Sequence, residues 1–263
     1  MTTNAAWTGM VPIEDTALAV TDTGGPGIPV LYLNGSYASK RHWQRVIAEL
    51  GRGYRHITFD ERARGKSKRA SDYSFEACMR DIDAVLGARG VHRPVLVGWS
   101  YGALLGVHWA SRNPARARGV VGVDGPYPVG WTDEAGHDEI RKVFSRMKPL
   151  MPLARPLGLA ARFSAETHAD LAIESHLLHA ALEPVLDGMT VPVRYVVASG
   201  EALGSRDDLQ EKMRKAIDPL LVRNPNLKVS AKVASNHGSV LRKDSPAVAV
   251  AVREVASLER PGR

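Results

Sequence analysis

Cysteine is almost missing from this chain of 263 residues. Cys78 is the one thiol. That excludes an internal disulfide, a C-x-x-C redox pair and a cysteine-rich zinc site. A lone cysteine fits a reducing compartment and equally a secreted protein that needs no staples; a cytoplasmic location is the expectation. Long hydrophobic runs are missing too. The most apolar stretch, 149–163, is interrupted by Arg155 and Arg162 and broken by Pro149, Pro152 and Pro156, so it cannot span a bilayer. The first nine residues show no basic segment followed by an apolar run, so no secretory leader is expected. No fixed-period repeat or low-complexity segment is visible.

What is present is ordinary globular composition: 44% hydrophobic, 24% charged, 24 Gly and 16 Pro. A chain of this length can bury a sizeable core as one large domain, or as a core carrying an insertion. Lys and Arg number 35 against 28 acidic residues, a net charge of +7. That raises the question of nucleic acid. The charge is spread along the chain, however. The densest cluster, Arg62, Arg64, Lys66, Lys68 and Arg69, has no aromatic interleaved. It reads as a solvated basic loop, with no nucleic-acid partner.

Short apolar runs alternate with amphipathic ones. Strands are predicted at 28–33, 56–59, 94–97, 119–123, 191–198 and 228–233. Helices are predicted at 39–50, 74–86 (with Ser74 as N-cap), 102–111, 207–221 and 246–258. Strands built of Val, Leu and Ile are apolar on both faces, as in a covered parallel sheet. The rhythm breaks after Asp124. The stretch 131–188 gives short helical pieces and no clear strand. The reading is an α/β core at 1–130 and 189–263 with a helical insertion at 131–188.

The sharpest local signal is Gly98-Trp99-Ser100-Tyr101-Gly102, a G-x-S-x-G pattern. By chance such a match arises about once in eight chains of this length, so context decides. Here the pattern follows an apolar strand and opens a helix. A sharp strand-to-helix turn lifts a serine hydroxyl above the sheet edge, and small flanking residues are needed in so tight a turn. The helix start offers free N–H groups to a developing oxyanion. Ser100 is therefore the candidate nucleophile and the Tyr101 N–H one oxyanion donor. Trp99, beside it, either packs in the core or lines the pocket, and is kept as a candidate pocket-lining residue.

With this elbow in place, the chain resembles the α/β-hydrolase superfamily. Four pieces carry the resemblance in matching order: Leu33-Asn34-Gly35-Ser36, the stretch Asp60-Glu61-Arg62-Ala63-Arg64-Gly65-Lys66-Ser67, the Ser100 elbow and Asn236-His237-Gly238. The resemblance implies a mostly parallel eight-stranded sheet flanked by helices, with the insertion as a helical cap. It implies an active site at the carboxyl ends of the strands. It also implies a second oxyanion donor at Ser36, with Tyr37 less favoured, and Asn34 and Tyr37 lining the pocket. Ala63 stands where the family turn has a glycine, and Asn34 where a histidine often precedes Gly35.

Of nine histidines, His237 fits the general base, since it follows the last strand on a turn before the final helix. His42, His92 and His108 fall on predicted helices or helix ends, and His56 starts a strand at the wrong sheet edge. His176 and His179, near His168, Glu174 and Glu183, could form a metal face, but no H-E-x-x-H pattern or persuasive third ligand accompanies them. No metal and no cofactor are expected. For the triad acid, the family most often uses a position beyond the seventh strand, where Leu203 stands. Asp124, closing the sixth strand, is favoured. Glu201 follows as the alternative, then Asp207 and Asp208.

A serine at the elbow disfavours the dehalogenase and epoxide hydrolase chemistries of the superfamily, which use aspartate there. The expected activity is hydrolysis of an ester, lactone or thioester through an acyl-enzyme on Ser100. Some of the insertion's apolar residues, Phe144, Met147, Leu150, Met151, Leu153, Leu157, Leu159 and Phe163, must simply fold the cap, and the surplus suggests a largely apolar acyl or ring substrate held under a lid. Two alternatives stay open: non-hydrolytic or C–C bond-cleaving chemistry in specialised metabolism, and a non-catalytic ligand-binding member of the fold. The expected partner is a small-molecule substrate, with no membrane, and the protein is expected to be a monomer or homodimer.

Overall fold

The computed structural model describes residues 5–154, 161–200 and 207–258. The chain opens with an antiparallel hairpin, β1 (Trp7–Ile13) and β2 (Thr16–Asp22). Sequence periodicity did not reveal it, because Gly9 and Pro12 blur the alternation of β1. Then follow β3 (Ile28–Leu33), α1 (Gln44–Leu50), β4 (Tyr54–Phe59), α2 (Phe75–Ala88), β5 (Val95–Trp99), α3 (Tyr101–Arg112) and β6 (Gly119–Val123). After a helical segment come β7 (Val193–Ala198) and, further on, β8 (Leu227–Val233). The eight strands form one sheet in the order β1-β2-β4-β3-β5-β6-β7-β8. Only the β1–β2 and β2–β4 pairings are antiparallel.

The apolar strands explain the layering. Leu31, Leu33, Leu96 and Val120 face one core with Ile82, Leu104 and Trp109 from α2 and α3. Val30, Val95, Val97 and Val121 face the other with Val46 of α1 and Val248 and Val252 of the last helix. Every residue of β6 is buried, so the central strands carry no polar face and need helices on both sides.

Between β6 and β7 lie four helices among the described residues: α4 (Glu134–Met147), α5 (Met151–Ala154), α6 (Ala165–Ala180) and α7 (Glu183–Asp187). Two small clusters hold this segment. Ile140 and Phe144 pack on Ala169 and Ile173, and Ala161, Phe163 and Leu171 pack on Ala63 and Tyr73. Polar ties add to them. The Phe75 N–H donates to the Glu174 carboxylate at 2.9 Å, and the Arg162 N–H to the Ala63 carbonyl at 3.0 Å.

After β7, the helix predicted at 207–221 is two, α8 (Asp207–Lys215) and α9 (Asp218–Arg223). Pro219 sits at the start of α9, where a missing N–H costs nothing, but it cannot continue α8. The chain closes with α10 (Val240–Lys243) and α11 (Ser245–Ser257).

The basic cluster after β4 departs from the expected solvated loop. Arg62 is fully buried, and its guanidinium donates to both carboxylate oxygens of buried Asp81 at 2.8–3.0 Å. Lys66, Lys68 and Arg69 are exposed, while Arg64 turns inward. Sequence spacing cannot reveal a carboxylate waiting 19 residues away on α2.

Candidate active site

The elbow is built by steric necessity. Ser100 has φ 56° and ψ −119°, a left-handed conformation that side-chain-bearing residues rarely adopt, at a cost on the order of 1–3 kcal/mol. The surroundings enforce it. The Ser100 N–H donates to the Val123 carbonyl at 3.1 Å, and its carbonyl accepts from Ala103 at 2.9 Å. A Cβ on Gly98 would stand 2.2 Å from the Gly102 carbonyl oxygen. One on Gly102 would stand 2.1 Å from that of Leu33. Both collisions are with backbone, so only glycine fits at either position.

Asp124 ends β6 with its side chain 3% exposed. Four donors surround it. His237 Nδ1 lies 2.8 Å from Oδ2, and the Tyr127 hydroxyl donates to Oδ1 at 2.8 Å. The Ala198 N–H and Arg214 Nε approach Oδ1 at 3.3 and 3.4 Å. Burial alone would raise its pKa. The hydrogen bond and charge of His237, the charge of Arg214 and the Tyr127 hydroxyl outweigh burial and hold the carboxyl below its ordinary value. An ionised carboxylate only accepts hydrogen bonds. Nδ1 therefore carries the proton, and Nε2 keeps a lone pair as an acceptor.

His237 comes from the turn between β8 and α10. Its side chain is 35% exposed, its carbonyl accepts from the Trp99 indole at 3.2 Å, and the two rings stand 5.5 Å apart. No hydrogen bond joins Ser100 and His237 among the described residues. They border shared space instead. Both line a cavity of about 900 Å³ and a smaller one of about 250 Å³ bounded also by Asp124, Tyr127, His179, Met213 and Arg214. In unliganded sites such bonds are often long and tighten with substrate.

The remaining candidates divide. Ser36 lines the large cavity, and Gly35 beside it packs on Trp99 and Ser100. The N–H groups of Ser36 and Tyr101 have no acceptor among the described residues. Arg64 Nε donates to the Ser36 carbonyl at 2.6 Å, which fixes that peptide from behind. Tyr37 and Trp99 line the large cavity. Asn34 does not. It is 1% exposed, and its amide is consumed internally. Nδ2 donates to the Phe59 carbonyl and the Glu61 carboxylate at 2.7 and 2.8 Å, and Oδ1 accepts from the Trp43 indole at 2.8 Å. It anchors the loop from below rather than lining the site. Glu201 lies outside the described residues. Asp207 and Asp208 open α8, and their side chains lie outside the description.

His176 and His179 are spent locally. The His176 ring stacks on Trp131 at 4.9 Å and accepts from the Trp131 N–H, while His179 Nδ1 donates to the Ser175 carbonyl at 2.7 Å. Among the described residues no group of three His, Cys, Asp or Glu is placed to hold a metal.

Four residues escaped sequence reasoning. Tyr127, three positions beyond Asp124, could have been suspected from that spacing in a turn. Arg214 and Arg64 carry no local signal. Glu61 is buried behind the Asn34 loop, where desolvation outweighs Arg64 and the Asn34 hydrogen bonds and pushes its pKa up to about 7. Among the described residues, 131–188 gives the large cavity only Ala161 and Arg162, while Phe163, Leu171 and Ala172 line a smaller one of about 140 Å³ with Ser36, Tyr37 and Tyr101. Phe144 and Phe163 are used to hold the helices together, and Met147 and Leu150 are exposed at 46% and 62%. Leu157 and Leu159 lie outside the described residues, as does the side chain of Leu153.

A doubly wound sheet with a strained serine between β5 and α3 and an acid–imidazole pair beside it defines a class, and comparison with known proteins agrees. Residues 28–219 match the family model of the alpha/beta hydrolase fold, and the chain belongs to that family. Among its relatives, a haloalkane dehalogenase from Mesorhizobium japonicum is 29% identical over 140 residues, spanning 52% of this chain and 45% of its own. This chain thus covers under half of that relative's length. A putative carbamate hydrolase, RutD, from Pantoea ananatis is 27% identical over 203 residues, spanning 68% of this chain and 71% of its own. Among solved structures, a thermophilic esterase from Thermogutta terrifontis superposes with a TM-score of 0.71 over 95% of this chain and 97% of its own, at 19% identity. That likeness concerns the fold.

Proposed function

We propose that this protein is a serine hydrolase that cleaves an ester, lactone or thioester of a small molecule through an acyl-enzyme on Ser100. One observation carries the reading. The Asp124–His237 pair, closed at 2.8 Å, borders the same small cavity as a serine held at φ 56°. A strained nucleophile, an oriented imidazole and a buried carboxylate together have no structural purpose that simpler residues would not serve.

The chemistry follows from the proton inventory. With Nδ1–H bound to Asp124, Nε2 accepts the Ser100 proton as Oγ attacks the carbonyl carbon. The tetrahedral oxyanion is stabilised by the N–H groups of Tyr101 and Ser36. Collapse expels the alcohol or thiol, which takes the proton from Nε2. Water then enters, gives a proton to Nε2, and attacks the acyl carbon. The acid leaves and Oγ recovers its proton. The imidazolium that forms twice in this cycle is stabilised by the ionised Asp124. The segment 131–188 acts in this reading as a cap over the site.

A fluorophosphonate probe tests the proposal. Intact mass should rise by one adduct, mapped to the peptide carrying Ser100, and the adduct should vanish in Ser100→Ala. An unmodified mass at high probe concentration would leave the pair without a nucleophile to serve.

A further inference from the structure

The large cavity beside Ser100 gathers positive charge. Among the described residues it is lined by Lys40, Arg41, Arg64, Lys66 and Arg162, against one carboxylate, Asp60. Asp60 is 2% exposed, and its two oxygens are already taken at 2.9 Å by the backbone N–H groups of Lys40 and Lys66. None of the five cations forms an ion pair among the described residues. Elsewhere the molecule pairs its arginines freely, as with Arg55, Arg62, Arg89, Arg112 and Arg223.

The five are not equivalent. Arg162 donates to the carbonyls of Gly65 and Ser67, and Lys40 Nζ to the Ala19 carbonyl and the Thr21 hydroxyl. Those two hold the loop. Arg41 and Lys66 make no side-chain hydrogen bond among the described residues, and both are exposed. Arg64 uses Nε on the Ser36 carbonyl and Nη1 weakly on that of Arg62, and its guanidinium lies 5.6 Å over the Phe163 ring; Nη2 makes no hydrogen bond among the described residues. Gathering like charges in a concave, partly desolvated space is unfavourable unless an anion completes it. The Lys40 pKa registers this. Burial lowers it, Asp60 opposes that, and the charges of Lys66 and Arg41 lower it further.

We propose that the substrate carries a carboxylate or phosphoryl anion, seated among Arg41, Arg64 and Lys66, in the same cavity as Ser100. This rests on the hydrolase reading and gives its substrate a charge. It replaces the expectation of a largely apolar molecule. The reactive carbonyl sits at Ser100, and the anion anchors the rest of the molecule in the basic lobe.

The test separates the two readings. Ser100→Ala protein is titrated with three 4-nitrophenyl esters of similar length, ending in a methyl (pentanoate), a carboxylate (monoglutarate) and a phosphonate (4-phosphonobutanoate). At least one anionic ester should bind about tenfold or more tightly than the neutral one, the scale of a hydrogen bond to a charged group. Carboxylate-only or phosphonate-only preference identifies the source of the anion. The preference should collapse in the Arg41→Gln, Lys66→Gln double variant, and near 1 M salt, where screening reaches about 3 Å. Neutral and anionic esters binding equally would overturn the inference, as would a preference that survives both treatments. Because this binding needs no turnover, an unlabelled Ser100 with intact anion preference would sink only the hydrolase reading. A labelled Ser100 with no preference would sink only this one.

Discussion

Two buried carboxylates of this molecule use the same physics for opposite ends. Asp81 and Asp124 are both almost wholly removed from solvent, at 0% and 3% side-chain exposure; Asp81 is met by the one guanidinium of Arg62, which burial outweighs so that its pKa is raised, and Asp124 by four donors that hold its pKa down. Asp81 lies against Arg62, itself fully buried, and Glu14 closes the other side of that guanidinium at 3.0 Å. Burial alone would lower the Arg62 pKa, but Asp81 and then Glu14 raise it instead. Arg62 and Asp81 are sealed, and only Glu14 reaches solvent, at 37% exposed. Asp124 ends instead on an imidazole that reaches two cavities. A buried charge whose last partner is another fixed charge braces the fold. One whose last partner can take up a proton and face solvent is equipped for chemistry.

The contrast predicts a double dissociation. Asp124→Asn should lower turnover of a 4-nitrophenyl ester by about 10⁴, because an amide no longer holds the Nδ1–H tautomer, while thermal unfolding moves little. Glu201→Gln in the same assay should stay near wild type; the reverse ranking would place the acid elsewhere. Arg62→Met should do the opposite. It strands Asp81 without its counter-charge, at a cost of about 3–5 kcal/mol in denaturant unfolding, while the folded fraction keeps its turnover.

A third buried carboxyl, Glu61, sharpens the comparison by pH. With a folded pKa of about 7 against an ordinary 4.5, the folded chain binds a proton that the unfolded chain releases. Its contribution is therefore fully present below about pH 4.5 and is lost as pH rises through about 7, a span on the order of 3 kcal/mol. Glu61→Gln should flatten the stability profile between those limits. An unchanged slope would mean that Glu61 is ionised when folded. The smallest effect belongs to Tyr127→Phe, which removes one of four donors to Asp124. About 1–2 kcal/mol of that hydrogen bond should appear as a kcat loss of roughly tenfold, with KM little changed.

What could be read in advance follows the same division. That Ser100, His237 and Asp124 would share one place in the fold was legible, because glycine collisions, strand ends and chain order are local or sequential facts. Ser74 was legible as a cap, and its hydroxyl accepts the Ala77 N–H at 3.2 Å. Arg62 and Asn34 were misread, because their roles depend on Asp81 and Glu61, brought near only by the fold. The apolar residues of 131–188 were read as divided between cap core and substrate lining, without saying which did which; Phe144 packs on Ile140, Ala169 and Ile173, while Phe163 and Leu171 also border a cavity with Ser36 and Tyr101. The basic lobe was half visible: Arg64 and Lys66 stood out as part of a cluster, but Arg41, 25 residues before Lys66, borders the same cavity only through the turn in which Asp60 holds the Lys40 and Lys66 N–H groups.

The most direct measurement is rapid acid quench of the wild-type protein during turnover of a 4-nitrophenyl ester, followed by mass spectrometry of its peptides. An acyl group should appear on the peptide bearing Ser100, formed as fast as the burst of nitrophenol and absent from Ser100→Ala. Turnover with no acyl adduct, an adduct on another residue, or undiminished hydrolysis by Ser100→Ala would contradict the covalent route.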